Sequence, residues 1–433
     1  MAMRVLILGG YGLVGGEILR ALSNAGFEII GLGRDAELGR RLHPRPSWRS
    51  ADIAALDTAE MWSPYLHDVD AIVNAAGALQ NGGRDRLAAL QETSIKACIA
   101  AAEMSNAGRF VQISAPGASA DATTEFLRTK AAADDALRAS RLEWVIFKPG
   151  LVISANAYGG TALLRMLAAL PAISPLVHAD ASIQTVAASD VARAVVLALQ
   201  GRVPLRADYD LVEERAHTLR EIVRSFREWL GFRPALAEFS APQWMGAVIA
   251  AGADAAGAFG WRSPLRSTAL NVIAQDVRGD PAPWTDASGE TPKSLDETLA
   301  DIPSTLQERV FARAQLVTPI AILALSLFWI VSGVIGLISR EVAAAHLVSA
   351  FGEARAMLFA LAGAALDIVI GAGLLFQKAA RRFAFASIAV ATGYLAAGTL
   401  LLPGLWLDPF GVFLKIVPAI ILALVVGLLL EER

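Results

Sequence analysis

Arg4-Val5-Leu6-Ile7-Leu8-Gly9-Gly10-Tyr11-Gly12-Leu13-Val14-Gly15 decides the fold of the N-terminal half. Val5 to Leu8 is an unbroken apolar run, as a strand buried on both faces of a parallel sheet requires. Glycines follow at once, and Glu17 to Ala25 then places Ile18, Leu22 and Ala25 on one helical face. Strand, glycine turn and helix in this order form the setting in which a dinucleotide binds. Glycine is needed where the backbone turns tightly, where it approaches a pyrophosphate and where helix meets strand, while the helix N-terminus favours the phosphates. Gly9, Gly10, Tyr11, Gly12, Leu13, Val14 and Gly15 are therefore the expected phosphate-side residues. A glycine-rich turn without a ligand is the alternative.

The second strand, Phe27 to Gly33, ends without the acidic residue that would hold the ribose hydroxyls of NAD. Arg34 comes next, and a guanidinium there suits the extra 2′-phosphate of NADP(H). A solvated arginine paired with Asp35 is the plainer reading. Asp52-Ile53, after the third strand, either borders the adenine or caps a helix.

Composition limits what else the chain can be. Hydrophobic residues make up 55% and charged residues 18%, and the net charge of −3 is too small to imply nucleic acid as a partner. Cys98 is the single cysteine, which excludes a disulfide framework and a thiol metal site; it is expected to pack in a helix. No metal ligation is expected. The apolar run Val5 to Leu8 is shorter than a secretory core, so the N-terminus is expected to stay in the mature protein. Charges thin out sharply between Leu316 and Leu430.

Four motifs recur in a familiar order: Gly-Gly-Tyr-Gly-Leu-Val-Gly at 9–15, Ala71-Ile72-Val73-Asn74-Ala75-Ala76-Gly77, Val111-Gln112-Ile113-Ser114, and Phe147-Lys148-Pro149-Gly150. Over roughly residues 3 to 230 the chain resembles the extended and atypical short-chain dehydrogenase/reductases. It resembles in particular the branch containing the NmrA-like proteins and the NADPH-binding accessory subunit of respiratory complex I. The resemblance implies a doubly wound parallel sheet with the cofactor across the carboxyl ends of its strands, bordered by Ala75, Ala76 and Gly77. It also implies a Tyr-x-x-x-Lys pair on one helix face, and here the match fails. The window reads Phe126-Leu127-Arg128-Thr129-Lys130. Lys130 is expected to bind the cofactor ribose, with Ser114 at the family's assisting-serine position; Phe126 cannot transfer a proton. Tyr158, in the loop after the sixth strand, either reaches the nicotinamide or simply packs.

Ala187 to Ala192 reads as the start of a helix with Ser189 or Asp190 as its cap, and Thr218 to Leu230 as an amphipathic helix. Residues 232 to 290 are rich in Ala and Gly, and suggest a substrate lid or a membrane-docking segment. Gly279 to Pro292 reads as a linker, followed by two short helices with capping-box spacing at Ser294-Leu295-Asp296-Glu297 and Ser304-Thr305-Leu306-Gln307. Leu316 to Ile338, Met357 to Phe376 and Phe383 to Leu402 each approach the ~20 apolar residues of a membrane span, and Ile416 to Leu430 does so if it begins near Pro409. Basic residues Arg309, Arg313, Lys378, Arg381, Arg382 and Arg433 outnumber Arg340, Arg355 and Lys415 on the other side, which predicts both termini in the cytoplasm.

Phe328-Trp329-Ile330-Val331-Ser332-Gly333, Leu366-Asp367-Ile368-Val369-Ile370-Gly371 and the four-span layout resemble the DoxX-like membrane family over roughly 315 to 430. Asp367, at mid-span, is either functional or hydrogen-bonded to a neighbouring helix. The expected architecture is thus an α/β Rossmann domain at 1–230, a substrate or linker region at 231–315, and an all-α transmembrane four-helix bundle at 316–433. Such a chain would be a multi-pass protein of a bacterial inner membrane, its Rossmann domain cytoplasmic and its partner the lipid bilayer. Two functions follow: an NADP(H)-binding module with a structural or sensing role, favoured by Phe126, or an oxidoreductase or epimerase acting on a lipophilic small molecule such as a quinone, isoprenoid or lipid-linked compound.

Overall fold

A computed structural model describes residues 2–430, apart from 80, 83–85, 106, 158, 262, 264 and 410. Tyr158 and Arg433 therefore lie outside the described residues. The chain forms two compact units, one of residues 1–254 and 264–309, the other of residues 255–263 and 310–433.

In the first unit, β1 (Arg4–Leu8) pairs in parallel with β2 (Glu28–Gly33) on one side and β4 (Ala71–Asn74) on the other. β3 (Ser47–Ser50) extends the sheet beyond β2. On the far side β5 (Arg109–Ile113), β6 (Glu143–Pro149) and the strand Ala207–Leu211 follow β4, completing a seven-stranded parallel sheet. Chain order reverses between β1 and β4, and such a switch point opens a crevice at the strands' carboxyl ends.

The two faces of β1 explain its unbroken apolar sequence. Val5 and Ile7 pack with Ile18, Leu22 and Val195 on one face, whereas Leu6 and Leu8 pack with Trp62, Ile95 and Cys98 on the other. Helix α1 (Leu13–Asn24) buries Ile18, Leu19 and Leu22. Ala25 falls just beyond the helix and is exposed, so Leu19 completes the face expected of it. Cys98 is fully buried, as expected of a packing residue.

The supposed linker Gly279–Pro292 is instead part of the core. It contains the helix Ala282–Ser288, whose Trp284 is 3% exposed and stands edge-on to Phe147 and Tyr209 with ring centroids 5.6 Å away in both cases. Pro and Gly bracket that helix rather than dissolve it. After it, Ser294 caps Leu295–Asp301 through a complete capping box with Glu297. The second expected short helix does not stand alone. Thr305, not Ser304, pairs with Glu308, and Leu306 opens a 33-residue helix that runs on to Ile338.

Leu306–Ile338, which enters the second unit at Val310, and Glu353–Leu375 and Gln377–Leu401 within it are long and apolar enough to cross a membrane. Ile416–Leu429 has 14 residues, about 21 Å at ~1.5 Å per residue, and is shorter than a bilayer core. It does not start near Pro409: Val412 to Lys415 form turns, and Lys415 caps the helix. All four helices nevertheless share one core, in which Leu325 and Trp329, Ile370 and Leu374, Ala384 and Ala391, and Ala423 and Val426 meet. Small residues let the first two approach closely: a methyl on Gly371 would stand 2.6 Å from Ile330 and 2.7 Å from the Ser326 carbonyl. Outward, Ile320, Leu323, Leu327 and Val331 are exposed.

Candidate functional site

The crevice at the switch point is built by two loops that touch. Gly9 has φ +74°, and a methyl there would come within 3.0 Å of the Ala76 backbone, so the glycine turn after β1 and the loop after β4 lie in contact. Gly12 N–H donates to the Gly9 carbonyl over 2.9 Å, closing the turn, and a methyl on Gly15 would stand 2.2 Å from that same oxygen. No side chain caps α1, whose first turn, Leu13, Val14 and Gly15 onward, carries no acidic residue. Its uncapped N–H groups and the positive end of its dipole are left for an anion.

The β2 side of the crevice is organised by a residue that glycine makes possible. Tyr11 lies over Gly33, where a methyl would stand 2.4 Å from its ring. Its hydroxyl accepts from the Asp35 backbone N–H over 3.3 Å, and its ring lies 5.8 Å from that of Trp48. Gly10 borders Trp48 as well, 3.2 Å from where its own methyl would lie. Asp35 itself caps the helix Ala36–Leu42 by accepting from Leu38 N–H at 2.8 Å. Arg34, one residue past β2, is exposed. Asp52 caps the short turn Ile53–Ala55, accepting from Ala54 N–H over 3.3 Å, and Ile53 is buried.

On the β4 side the loop Asn74–Ala78 is held by buried amides. Asn74 accepts from Ala76 N–H over 3.1 Å and donates to Gln112 over 2.8 Å, while Gln91 donates to the Ala78 carbonyl. Gln91 also accepts from Thr129, across to the helix Glu125–Ala139. Gln91 sits in a wide π-type turn, Ala88–Thr93, a distortion often found where side chains must be aimed into a site. Ala75 continues the loop from β4, its N–H donating to Leu8 in β1.

Lys130 is 5% exposed, and its ammonium donates to the Ile113 carbonyl over 2.8 Å. It also lies against Gly77, 3.4 Å from where a methyl would be. Burial lowers its pKa to about 8, against the opposing pull of Asp134. Asp134 lies one turn further along the helix, and burial pushes its carboxyl up to about 6, countered mainly by the hydrogen bond from Ser114 and by Lys130. The Ser114 hydroxyl therefore faces Asp134, not an open substrate position. Phe126, one turn before Lys130 on the same helix, is half-buried, and its ring offers no proton.

The expected residues Gly9 to Gly15, Ala75 to Gly77 and Lys130 are thus brought together around one crevice, with Ser114 behind it. Asp134, Gln91 and Gln112 were not read from the sequence. For Asp134 a signal existed, the spacing of four from Lys130. For the two glutamines none did, because their partners come from other strands and loops.

Asp367 in the helical unit is hydrogen-bonded from two neighbours: the Tyr394 hydroxyl donates over 2.9 Å and Ser332 over 3.1 Å. Among the described residues no group of His, Cys, Asp and Glu is arranged to hold a metal ion.

Comparison with known families fixes what these two units are. Residues 9–202 match the NAD(P)H-binding family, and residues 326–424 match the DoxX-like family. The chain joins an NAD(P)-binding Rossmann domain to a DoxX-like domain. The NAD(P)-binding part is similar in sequence to a ceramide reductase of Caulobacter vibrioides, 22% identical over 243 residues, which span 55% of this chain and 74% of that protein. In fold it resembles the Bordetella bronchiseptica enzyme WbmH in complex with NAD+, with a TM-score of 0.53 and 18% identity over 72% of this chain and 99% of that one. It equally resembles the NADPH-dependent quinone oxidoreductase QOR2 of Escherichia coli complexed with NADPH, with a TM-score of 0.53 and 16% identity over 68% of this chain and 98% of that one. The Rossmann fold is thereby shared with proteins using either cofactor. The DoxX-like domain, with its three long apolar helices, marks the protein as membrane-associated.

Proposed function

We propose that this protein is an NADP(H)-dependent oxidoreductase that reduces a carbonyl group carried by a membrane lipid. The observation that carries the reading is Lys130, an ammonium kept buried beside Gly77 at the cofactor crevice and brought to about pKa 8. Burying an amine is costly, and a catalytic or binding role accounts for keeping it. The lipid assignment is supported by the fused DoxX-like helices and by the similarity to a protein named ceramide reductase.

The crevice fits a dinucleotide, since the glycine turn leaves no room for side chains where a pyrophosphate would lie. The uncapped start of α1 takes the phosphates, Arg34 the 2′-phosphate, Tyr11 and the Asp52-Ile53 pair the adenosine, and Ala75 to Gly77 with Lys130 the nicotinamide ribose. NADPH, when held there, would supply the hydride that the carbonyl carbon takes up. Lys130 holds the proton that the carbonyl oxygen takes up, giving an alcohol, and it is recharged from water. An acid with a pKa near working pH is well matched to that transfer. Asp134 positions the ammonium and favours its charged form, and Ser114 orients Asp134.

Phe126 and the turning of Ser114 toward Asp134 favour a second reading, in which NADP(H) is only bound, as a structural or sensing ligand. Full-length protein in lipid discs, given NADPH and long-chain ketones including keto-sphingolipids, separates the two. Turnover is expected, with one ketone converted to alcohol per NADPH. It should fall about 10²–10⁴-fold in Lys130→Ala, the loss typical of a positioned acid. Tight NADPH binding without turnover across the panel would establish the binding reading instead.

A further inference from the structure

The helix Gln243–Ala258 has an outer surface unlike that of any soluble helix. Its one charged residue is Asp254, and that carboxylate turns inward to Arg266, whose Nε donates to it over 2.8 Å. Gly246 and Ala250 face the protein, with Gly246 pressed against Val177. What remains outside is apolar: Trp244 is 67% exposed, Val248 64% and Ile249 45%, with Ala247, Ala251 and Ala255 between them. A face about four turns long with no ionised or amide side chain after Gln243 is a large patch for water to cover. Scattered single apolar residues would need no explanation, but a whole unpartnered helix face does.

The chain itself says what covers it. The last turn of the helix, Ala255 to Ala258, already belongs to the unit containing the long apolar helices. There, the Phe259 carbonyl accepts from Gln377 N–H over 3.1 Å, the Phe259 ring stands edge-on to Phe376 at 5.1 Å, and Trp261 Nε1 donates to the Leu375 carbonyl over 2.6 Å. Leu375 to Gln377 is the junction of the second and third long helices, where Lys378, Arg381 and Arg382 cluster in sequence. That junction is a membrane surface if the helices span. Val248 is ten residues from Ala258, at most about 15 Å along a helix of ~1.5 Å rise per residue. The exposed face is thus continuous, along one helix, with a segment of the apolar unit, and Trp244 is the residue type that favours a membrane boundary.

We infer that Gln243–Ala258 is a membrane-docking helix, its Trp244–Val248–Ile249 face seated in the lipid headgroup and acyl boundary. This rests on the membrane reading of the DoxX-like helices and adds to it a contact made by a helix that does not span. The inner side of the same helix leads to the cofactor crevice. Asp254 holds Arg266, which donates to the Asn81 carbonyl over 2.8 Å, and Asn81 donates to Glu125 over 2.7 Å, at the start of the helix carrying Phe126 and Lys130.

Nitroxide labelling tests this in the full chain in lipid discs, because Cys98 is fully buried and does not compete for the label. Val248→Cys and, independently, Trp244→Cys are compared with Val331→Cys on the first long helix and with Glu37→Cys in water. Oxygen, which concentrates in lipid, should relax the labels at 248, 244 and 331 more than a water-soluble nickel chelate does, with the reverse at 37. Nickel preference at both 248 and 244, with oxygen preference at 331, would overturn the docking helix and leave the spans intact. Labels at 248 and 244 immobile and shielded from both reagents would show a protein partner in place of lipid, and would overturn it too. Nickel preference at 331 would remove the membrane reading and the docking helix together.

Discussion

Lys130 and Asp134 set two buried titratable groups, both shifted from their ordinary pKa, beside the crevice. In the proposed role the ammonium is the form that would bind ribose hydroxyls, and it gives way to the neutral amine as pH rises through about 8. NADPH affinity should therefore decline above that pH. Asp134 is the group that raises the lysine's pKa against burial, so in Asp134→Asn the decline should begin at lower pH. Calorimetric titration of both proteins across that range measures it, and coincident profiles would show that the pair is not coupled. Protein stability carries the opposite sign. Between about 8 and the ordinary lysine value of 10.5, folded Lys130 holds fewer protons than the unfolded chain, so its contribution to stability rises with pH there. We propose that cofactor choice rests on Arg34. If it holds the 2′-phosphate, Arg34→Ala should cost about tenfold or more in NADPH affinity, as expected for a hydrogen bond to a charged group, and leave NADH nearly unchanged. Equal losses for the two cofactors would assign the phosphate to another group.

Among the elements, Ala282–Ser288 shows how a segment with the composition of a linker can be a structural plug. Trp284 fills the space between Phe147 on β6 and Tyr209 on the neighbouring strand, so this late part of the chain closes the sheet's last two strands. Glu213 reinforces the same attachment. It is 1% exposed, accepts from Leu295 N–H and from Thr185, and meets His217 at 3.0 Å. Trp284→Ala should then destabilise the NAD(P)-binding domain by about 3–5 kcal/mol, the cost of truncating a buried large aromatic. The change would appear as a lower unfolding midpoint for that domain. A loss within the range of a surface substitution would return the segment to the status of a linker.

For the whole molecule, the question is how the bundle lies across the membrane. We propose that both chain ends and the NAD(P)-binding domain face the cytoplasm, because Arg309, Arg313, Lys378, Arg381 and Arg382 flank one end of the apolar helices and only Arg340, Arg355 and Lys415 flank the other. Ser349 and Gln377 are both exposed and sit at opposite ends of the second long helix. With cysteine placed at each in intact cells, an impermeant thiol reagent should label 349 and spare 377. Labelling at 377 alone would invert the topology. The short fourth helix, 14 residues from Ile416, should allow local thinning of the bilayer or access to water at its Lys415 end.

What the sequence determined by itself were the features written in neighbouring residues. A buried parallel strand and its glycine turn need only a dozen consecutive positions, and Lys130 and Phe126 are legible because a helix brings residues four apart onto one face. Three long apolar helices announce themselves by composition, since a span satisfies its backbone internally and needs no distant partner to be recognised. Other features were decided only by tertiary structure. Ser114 turns to Asp134 because two elements twenty residues apart in sequence pack together, and Gln91 gains its role from a loop and a helix on either side of it. Trp284 and Glu213 are core residues only because a late segment folds back onto an early sheet. The same holds for Gly33, whose missing side chain reads as the absence of an acid in sequence but serves in space to admit Tyr11. Short-range periodicity records how a segment meets solvent, whereas hydrogen-bond partners and cavities are set by which segments meet one another, and a single sequence does not write that down locally.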